Sequence, residues 1–213
     1  GLFDLTGHVG IITGGSRGLG FGQVKVLTDA GATVYNLDLI PHSDEQMIRE
    51  GHLIDIRCDV TDYDAIEKVV KEIVEKEGFP QCEGIREVLE KLHREGYLLA
   101  VGSSSPEDVI QKVLKDLDLA QYFSAFISGE NMAHPKPAPD TFLAAAEALL
   151  LDPSACMVVE DSTNGGKAAK AAGMSCVWFH NPDSGDQQIP DAVLEISSWD
   201  PSSAEKIMKV SEQ

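Results

Sequence analysis

The chain has 213 residues, 43% hydrophobic and 24% charged, which suits one ordinary globular domain or two small ones sharing a core and excludes a disordered chain. With 17 Lys and Arg against 35 Asp and Glu, the net charge is −18, which argues against a nucleic-acid backbone as partner. Apolar runs fall short of the roughly 18 to 20 residues that span a bilayer. The opening GLFDLTGHVG lacks the basic region and cleavage site of a signal peptide, so a soluble, cytoplasmic protein with no membrane partner is expected. Cys58, Cys82, Cys156 and Cys176 form no CxxC pair, and neither a disulfide framework nor a zinc site is expected.

Short β-rich runs alternate with amphipathic segments, the pattern of a parallel sheet covered by helices. A strand over His8–Thr13 leads through a glycine-rich turn into a helix over Phe21–Asp29, and strands follow at Thr33–Leu37 and Leu53–Arg57. Over Asp62–Glu77 the residues Ile66, Val69, Val70, Ile73 and Val74 fall at helical spacing with charges opposite, and Ile85–Glu95 repeats the pattern. Between these helices Glu77-Gly78-Phe79-Pro80 carries no strand and reads as a junction between two pieces. Further strands are expected at Leu98–Gly102, Ala125–Ser128, Met157–Glu160 and Ser175–Phe179, with a short one near Val193–Ile196. The Ala-rich segments Asp140–Leu150 and Gly166–Ala172 suit helices pressed closely on a sheet, and the tail after Trp199 reads as a last helix and a frayed end.

The turn Thr13-Gly14-Gly15-Ser16-Arg17-Gly18-Leu19-Gly20 lies between a strand and a helix, where glycines leave backbone N–H groups open to a pyrophosphate. Asp38, at the end of the next strand, is placed to accept hydrogen bonds from a ribose diol. The competing reading is a tight strand-to-helix turn with no ligand. With Gly-Ala-Thr-Val-Tyr-Asn-Leu-Asp and Cys58-Asp59-Val60-Thr61 added, residues 1–78 resemble the start of the short-chain dehydrogenases/reductases. The resemblance implies NAD, with Gly14, Ser16, Arg17, Gly18, Leu19 and Gly20 around the pyrophosphate and nicotinamide, Asp38 on the adenosine ribose, and Asp59 and Val60 beside the adenine. That family's catalytic Tyr with Lys four residues later is missing: Tyr35, Tyr63, Tyr97 and Tyr122 are followed at that spacing by Leu39, Glu67, Val101 and Phe126.

From Phe79 onward three other motifs appear in order. Leu98-Leu99-Ala100-Val101-Gly102 ends in Ser103-Ser104-Ser105-Pro106; Pro135-Lys136-Pro137 follows; Met157-Val158-Val159-Glu160-Asp161-Ser162 then precedes Asn164-Gly165-Gly166. Together these resemble the haloacid dehalogenase (HAD) superfamily, nearest its β-phosphoglucomutase-like phosphatases and mutases. The resemblance implies that Ser103 hydrogen-bonds a transferring phosphoryl group, that Lys136 neutralises its charge, and that Glu160 and Asp161 hold Mg²⁺. The family's Asp-x-Asp nucleophile and acid/base strand is absent. Asp62-Tyr63-Asp64 reads as a helix start with Thr61-x-x-Asp64 as its capping arrangement; Asp116-Leu117-Asp118 falls at a helix end; Tyr35-Asn36-Leu37-Asp38 has the right shape at a strand end but carries an amide, which cannot form an acyl-phosphate.

These readings combine into an expectation of a recombined or designed chimera, an SDR-like segment 1–78 and a HAD-like segment 79–213 merged into one domain. The fold class expected is α/β, a three-layer, doubly wound sandwich on one continuous, mostly parallel sheet of about seven strands. The function expected is NAD(H) binding at the glycine turn without a complete active site, with a nucleotide or phosphate compound as ligand. The alternatives are a Mg²⁺-dependent phosphohydrolase or phosphomutase and a fold with no activity.

Overall fold

A computed structural model of the chain describes residues 4–40 and 52–211. The chain divides into two compact units, Gly1–Gly78 and Phe79–Gln213.

In the first unit, β1 (Val9–Thr13), α1 (Gly18–Asp29), β2 (Thr33–Asp38), β3 (Leu53–Arg57) and α2 (Tyr63–Glu77) follow in order, and the strands form a parallel sheet in the order β1-β2-β3. Side chains alternate across a strand, and β2 uses both faces. Val34 packs with Ile12, Ala32 and Val24 of α1, while Tyr35 and Leu37 pack with Cys58 and with Val69 and Ile73 of α2. Tyr35 Oη also donates to Glu77 at the end of α2. Burial first and then the Glu77 contact push the Tyr35 phenol above its ordinary pKa. Asp62 caps α2 by accepting from the Ala65 N–H at 3.2 Å, in place of the Thr61-x-x-Asp64 arrangement the sequence suggests. Thr61 is instead tied to Asp59, which accepts from its N–H at 2.9 Å and its hydroxyl at 2.7 Å.

In the second unit α3 (Ile85–Arg94), β4 (Ala100–Ser103), α4 (Glu107–Asp116), β5 (Ala125–Ser128), α5 (Asp140–Ala148), β6 (Met157–Glu160), α6 (Thr163–Ala171), β7 (Ser175–Phe179), β8 (Leu194–Ile196) and α7 (Pro201–Ser211) follow in order. The alternation of β7 organises most of its core. Cys176 faces Phe142 and Ala146 of α5 and Ala168 and Ala169 of α6; Val177 faces Val88 and Leu92 of α3 and Ala204 and Ile207 of α7. The second helix pair is fastened at its rim by Lys91 and Glu205 at 2.8 Å. Gly84 opens α3 with φ +80° against the Trp199 carbonyl, where a Cβ would lie 1.6 Å from the oxygen, so only glycine fits. Helix α4, which the sequence reading omits, packs Ile110 and Leu114 against Leu89 of α3.

The expected single sheet is not formed. Among the described residues there are three small parallel sheets, β1-β2-β3, β4-β5 and β6-β7-β8. The α/β class holds, but the doubly wound seven-strand sandwich does not. The physical reason lies in the crossovers: α4 returns the chain from β4 to an adjacent β5 and α6 from β6 to an adjacent β7, whereas α5 delivers β6 to neither edge of the β4-β5 pair. Element boundaries otherwise agree within a few residues, and α6 begins at Thr163 because Ser162 caps it, accepting from the Gly165 N–H at 3.0 Å. The chain beyond Ser211, read as a frayed end, lies outside the described residues.

One buried side chain in the first unit sets a test. Asn36, 1% exposed, accepts from the Gly15 N–H at 2.8 Å and donates to Ser16 Oγ at 3.0 Å and to Asp55 Oδ1 at 2.6 Å. Asn36→Asp, which would give the Tyr35-Asn36-Leu37-Asp38 segment a carboxylate, removes both donors and sets a second carboxylate against Asp55. It is expected to destabilise the protein by about 2–3 kcal/mol in urea unfolding at pH 8. The shared site would have a raised folded-state pKa, so the loss should shrink as the pH falls toward 5. An unchanged midpoint at both pH values would show that the amide donors contribute nothing.

Candidate functional site

The three motifs of the second unit meet at one side chain. Lys136, in the loop before α5, donates from Nζ to the Gly102 carbonyl of β4 at 3.1 Å and to Glu160 Oε1 of β6 at 2.5 Å, and lies 4.3 Å from the centre of the Phe142 ring. The Lys136 and Glu160 side chains are only 11% and 10% exposed. An ion pair so far from water is retained only when its remaining polar atoms are satisfied. Glu160 meets that condition: Oε2 accepts from the Asp161 N–H at 3.1 Å, the Ser162 N–H at 3.1 Å and the Ser162 hydroxyl at 2.9 Å. These are groups at the N-terminal end of α6, where the helix dipole favours an anion. Gly165 makes the room, since a Cβ there would fall 1.9 Å from the Glu160 carboxyl carbon.

Ser103 follows Gly102 at the end of β4, so the Lys136 contact brings the hydroxyl and lysine motifs together. Ser103 Oγ accepts from the Ser105 N–H at 3.1 Å, which shapes the turn, and the Ser103 carbonyl accepts from Gly129 N–H at 2.6 Å beyond β5. Close by, the Thr141 hydroxyl is buried with no hydrogen-bond partner among the described residues. It lies 3.0 Å from the position of a Cβ on Gly129, which is itself 3.2 Å from the Ser103 carbonyl.

Asp161 is held from the other side. Its Oδ2 accepts from Asn181 Nδ2 at 2.8 Å and from the Ser184 hydroxyl at 2.5 Å. Burial pushes its pKa up, but the Ser184 and Asn181 bonds, its own backbone N–H and the Lys136 charge prevail and hold it below the usual carboxylate value. Asn181 and Ser184 carry no motif. Their position follows from register: Glu160 pairs with Trp178, so the turn after β7 lies beside Asp161. Phe142 likewise carries no sequence signal, and Gly165 shows only as part of a glycine turn.

Residues that would hold Mg²⁺ can be weighed on their donors. Glu160 is committed to Lys136 and three other donors, and among the described residues no three His, Cys, Asp or Glu side chains converge as a ready-made cage. Asp161 is ionised, and its two side-chain bonds use only Oδ2. One carboxylate completed by water and a phosphate is a usual Mg²⁺ arrangement. The fit is therefore to Asp161, with Glu160 orienting Lys136.

The residues expected to bind NAD lie elsewhere, in the first unit, and the amides that open the turn are used internally. The Gly14 N–H goes to the Leu37 carbonyl at 2.9 Å, the Gly15 N–H to Asn36, and the Ser16 N–H to Asp38 Oδ2 at 3.2 Å. The amides of Gly14, Gly15 and Ser16 are thereby taken. Asp38 spends its other oxygen on the Ile40 N–H at 3.3 Å, and Asp59 is bound to Thr61. Gly20 is required by close packing, since a Cβ would lie 2.2 Å from the Gly14 carbonyl oxygen; Gly18 takes φ +59°; Leu19 is 91% exposed. Arg17 is the extended residue preceding α1, and Val60 is exposed. The tight-turn reading holds and the NAD reading does not.

Ser184→Ala removes an O–H donor from Asp161 and should raise its pKa toward the ordinary value. Protonation of Asp161, followed by the carboxyl C=O infrared band, should then begin at higher pH than in the parent protein; coincident titrations would show that Ser184 does not hold the carboxylate down.

Comparison with known proteins covers both units. The sequence profile of the haloacid dehalogenase-like hydrolases matches residues 35–179, opening one residue before Asn36-Leu37-Asp38 and running through the junction at 78/79. That continuity overturns the reading of two unrelated pieces, SDR-like and HAD-like, joined as a chimera. Hexitol phosphatase B of Escherichia coli K12 is 33% identical over 138 residues, 63% of this chain and 62% of that protein. The chain thus matches about three-fifths of that relative's length. Fructose-1-phosphate phosphatase YqaB of Escherichia coli K12 is 42% identical over 79 residues, 37% of this chain and 42% of that protein. A solved HAD phosphatase from Thermococcus onnurineus is similar with a TM-score of 0.57 and 27% identity, covering 69% of this chain and 70% of that one. With Lys136 joining the ends of β4 and β6, and a profile match over residues 35–179, the chain belongs to the haloacid dehalogenase-like hydrolase family.

Proposed function

We propose that this protein binds the phosphate group of a small phosphorylated metabolite, of the sugar or hexitol phosphate class, and acts on it as a Mg²⁺-dependent phosphohydrolase-type protein. The observation that carries the reading is the convergence of Gly102 beside Ser103, Lys136 and Glu160 on one ammonium group. An ammonium has three N–H donors, and the Gly102 carbonyl and Glu160 take two, leaving one for a phosphoryl oxygen. Glu160 fixes the direction of Lys136, the Ser103 hydroxyl supplies a second donor at the end of β4, and Asp161 holds the metal. Bound Mg²⁺ would neutralise charge on the phosphoryl oxygens. The names of the two phosphatase relatives support the substrate class.

None of these four residues is a ready nucleophile of the acyl-phosphate kind. The family profile opens at Tyr35, but Asn36 is an amide, with both N–H donors used by Ser16 and Asp55 and its oxygen accepting from Gly15. Binding is therefore the primary function, and hydrolysis is slow. No helix among the described residues is long and apolar enough to cross a membrane.

Calorimetric titration with inorganic phosphate in the presence of MgCl₂ should show one site per chain, and Lys136→Ala should weaken it at least tenfold, about 1.4 kcal/mol. Absence of phosphate binding with and without magnesium would sink the reading. In parallel, release of nitrophenol from p-nitrophenyl phosphate should be slow, magnesium-dependent and abolished by Asp161→Asn; release that survives this substitution would place hydrolysis at another site.

A further inference from the structure

A cavity of about 510 Å³ opens in the second unit between α6 and the loop that leads from β7 to β8. Its floor is apolar and made of buried side chains, Met174, Cys176 and Ile189. The Cys176 thiol behaves as part of that floor, because burial and the nearby Glu160 charge push its pKa up to about 11 and keep it neutral. The rim differs from most of this acidic protein. Lys167 and Lys170 stand on one side, and Asp191 on the other. Lys170 pairs with Asp191 at 2.8 Å, but with both side chains well exposed such a pair contributes little. Lys167 has no ion-pair partner among the described residues.

The cavity's walls are fixed from several directions. The Gln188 N–H donates to Thr163 Oγ1 at 2.9 Å and the Thr163 N–H donates to Gln187 Oε1 at 2.9 Å, a reciprocal clasp between the loop and the first turn of α6. Ile189 lies so close to α6 that a Cβ on Gly166 would fall 2.6 Å from its Cγ2. A preformed concave site of a few hundred Å³, mainly apolar with a few placed polar groups, is the usual form of a small-molecule pocket.

We infer that this cavity is a second ligand site, for a compact organic anion with an apolar body and a single negative charge. The floor of Met174, Cys176 and Ile189 would take the body, and the rim, with two lysines against one aspartate, would take the charge. In a chain of net charge −18 a locally positive rim is the exception, and it selects an anion over a neutral or cationic compound. The apolar floor selects against an inorganic ion, which would have to give up its hydration. The site is separate from the phosphate reading, and either can stand without the other.

The probe is 8-anilinonaphthalene-1-sulfonate, which has this chemistry and fluoresces when its rings leave water. Titration of the full chain should give a saturable enhancement at one probe per chain, unaffected by millimolar inorganic phosphate. Lys167→Glu should weaken binding at least fivefold, and Ser175→Phe, at an exposed position on the cavity wall, should abolish it by filling the space. Thermal melts should show both variants folded. The proposal is overturned by a lack of saturable enhancement, by enhancement that both substitutions leave intact, or by displacement of the probe with phosphate.

Discussion

The second unit depends on the ion pair between Lys136 and Glu160. Among the described residues its two sheets share no ladder of backbone hydrogen bonds, yet one ammonium group bonds to the C-terminal ends of both β4 and β6, beside the Phe142 ring that packs between them. The pair is nearly dry, so its stability rests on how fully its atoms are satisfied. The amides and hydroxyl at the start of α6 complete the Glu160 shell, and Gly165 provides the space. Lys136 is thereby a structural tie, and its orientation is fixed before any ligand arrives.

The glycine turn of the first unit illustrates the opposite use of similar local chemistry. Both Gly14-Gly15-Ser16 and Ser162-Thr163-Asn164-Gly165 present backbone N–H groups at the start of a helix. In the first, Leu37, Asn36 and Asp38 consume the amides in succession. In the second, the Ser162 N–H and the Asp161 N–H before it gather one carboxylate, which in turn aims a lysine. A glycine-rich string shows that backbone can approach something closely; which atoms do the approaching depends on side chains that arrive from the neighbouring strand.

Much of the fold was legible from periodicity. The eight strands among the described residues stand where short β-rich apolar runs place them, and Ser103, Lys136, Glu160 and Asp161 lie at strand ends or in the loop between, as their motifs imply. Sheet membership was not legible, because it depends on where α5 delivers β6, and no residue in α5 encodes that direction by itself. The NAD reading rested on a glycine string and gave way to a family profile that opens at Tyr35. An amide at position 36 looks like a defective nucleophile in sequence, and only packing reveals that it occupies the Gly15 N–H. Asn181 and Ser184 escaped notice for a related reason, since they act on Asp161 across a strand pairing. The two-piece reading rested on motif similarity on either side of Gly78, whereas the family profile passes through that point.

The bonds that assemble the site have similar sequence separations. Lys136 reaches back 34 residues to Gly102 and forward 24 to Glu160, and Asp161 reaches forward 20 to Asn181 and 23 to Ser184. Loop-closure entropy grows only logarithmically with length, so the longest and shortest of these closures differ by about half a kcal/mol. No long-range encounter has to precede the others. The site belongs to the class of arrangements that a growing chain can close one crossover at a time, each strand bringing its own polar end to a place the previous one has already prepared.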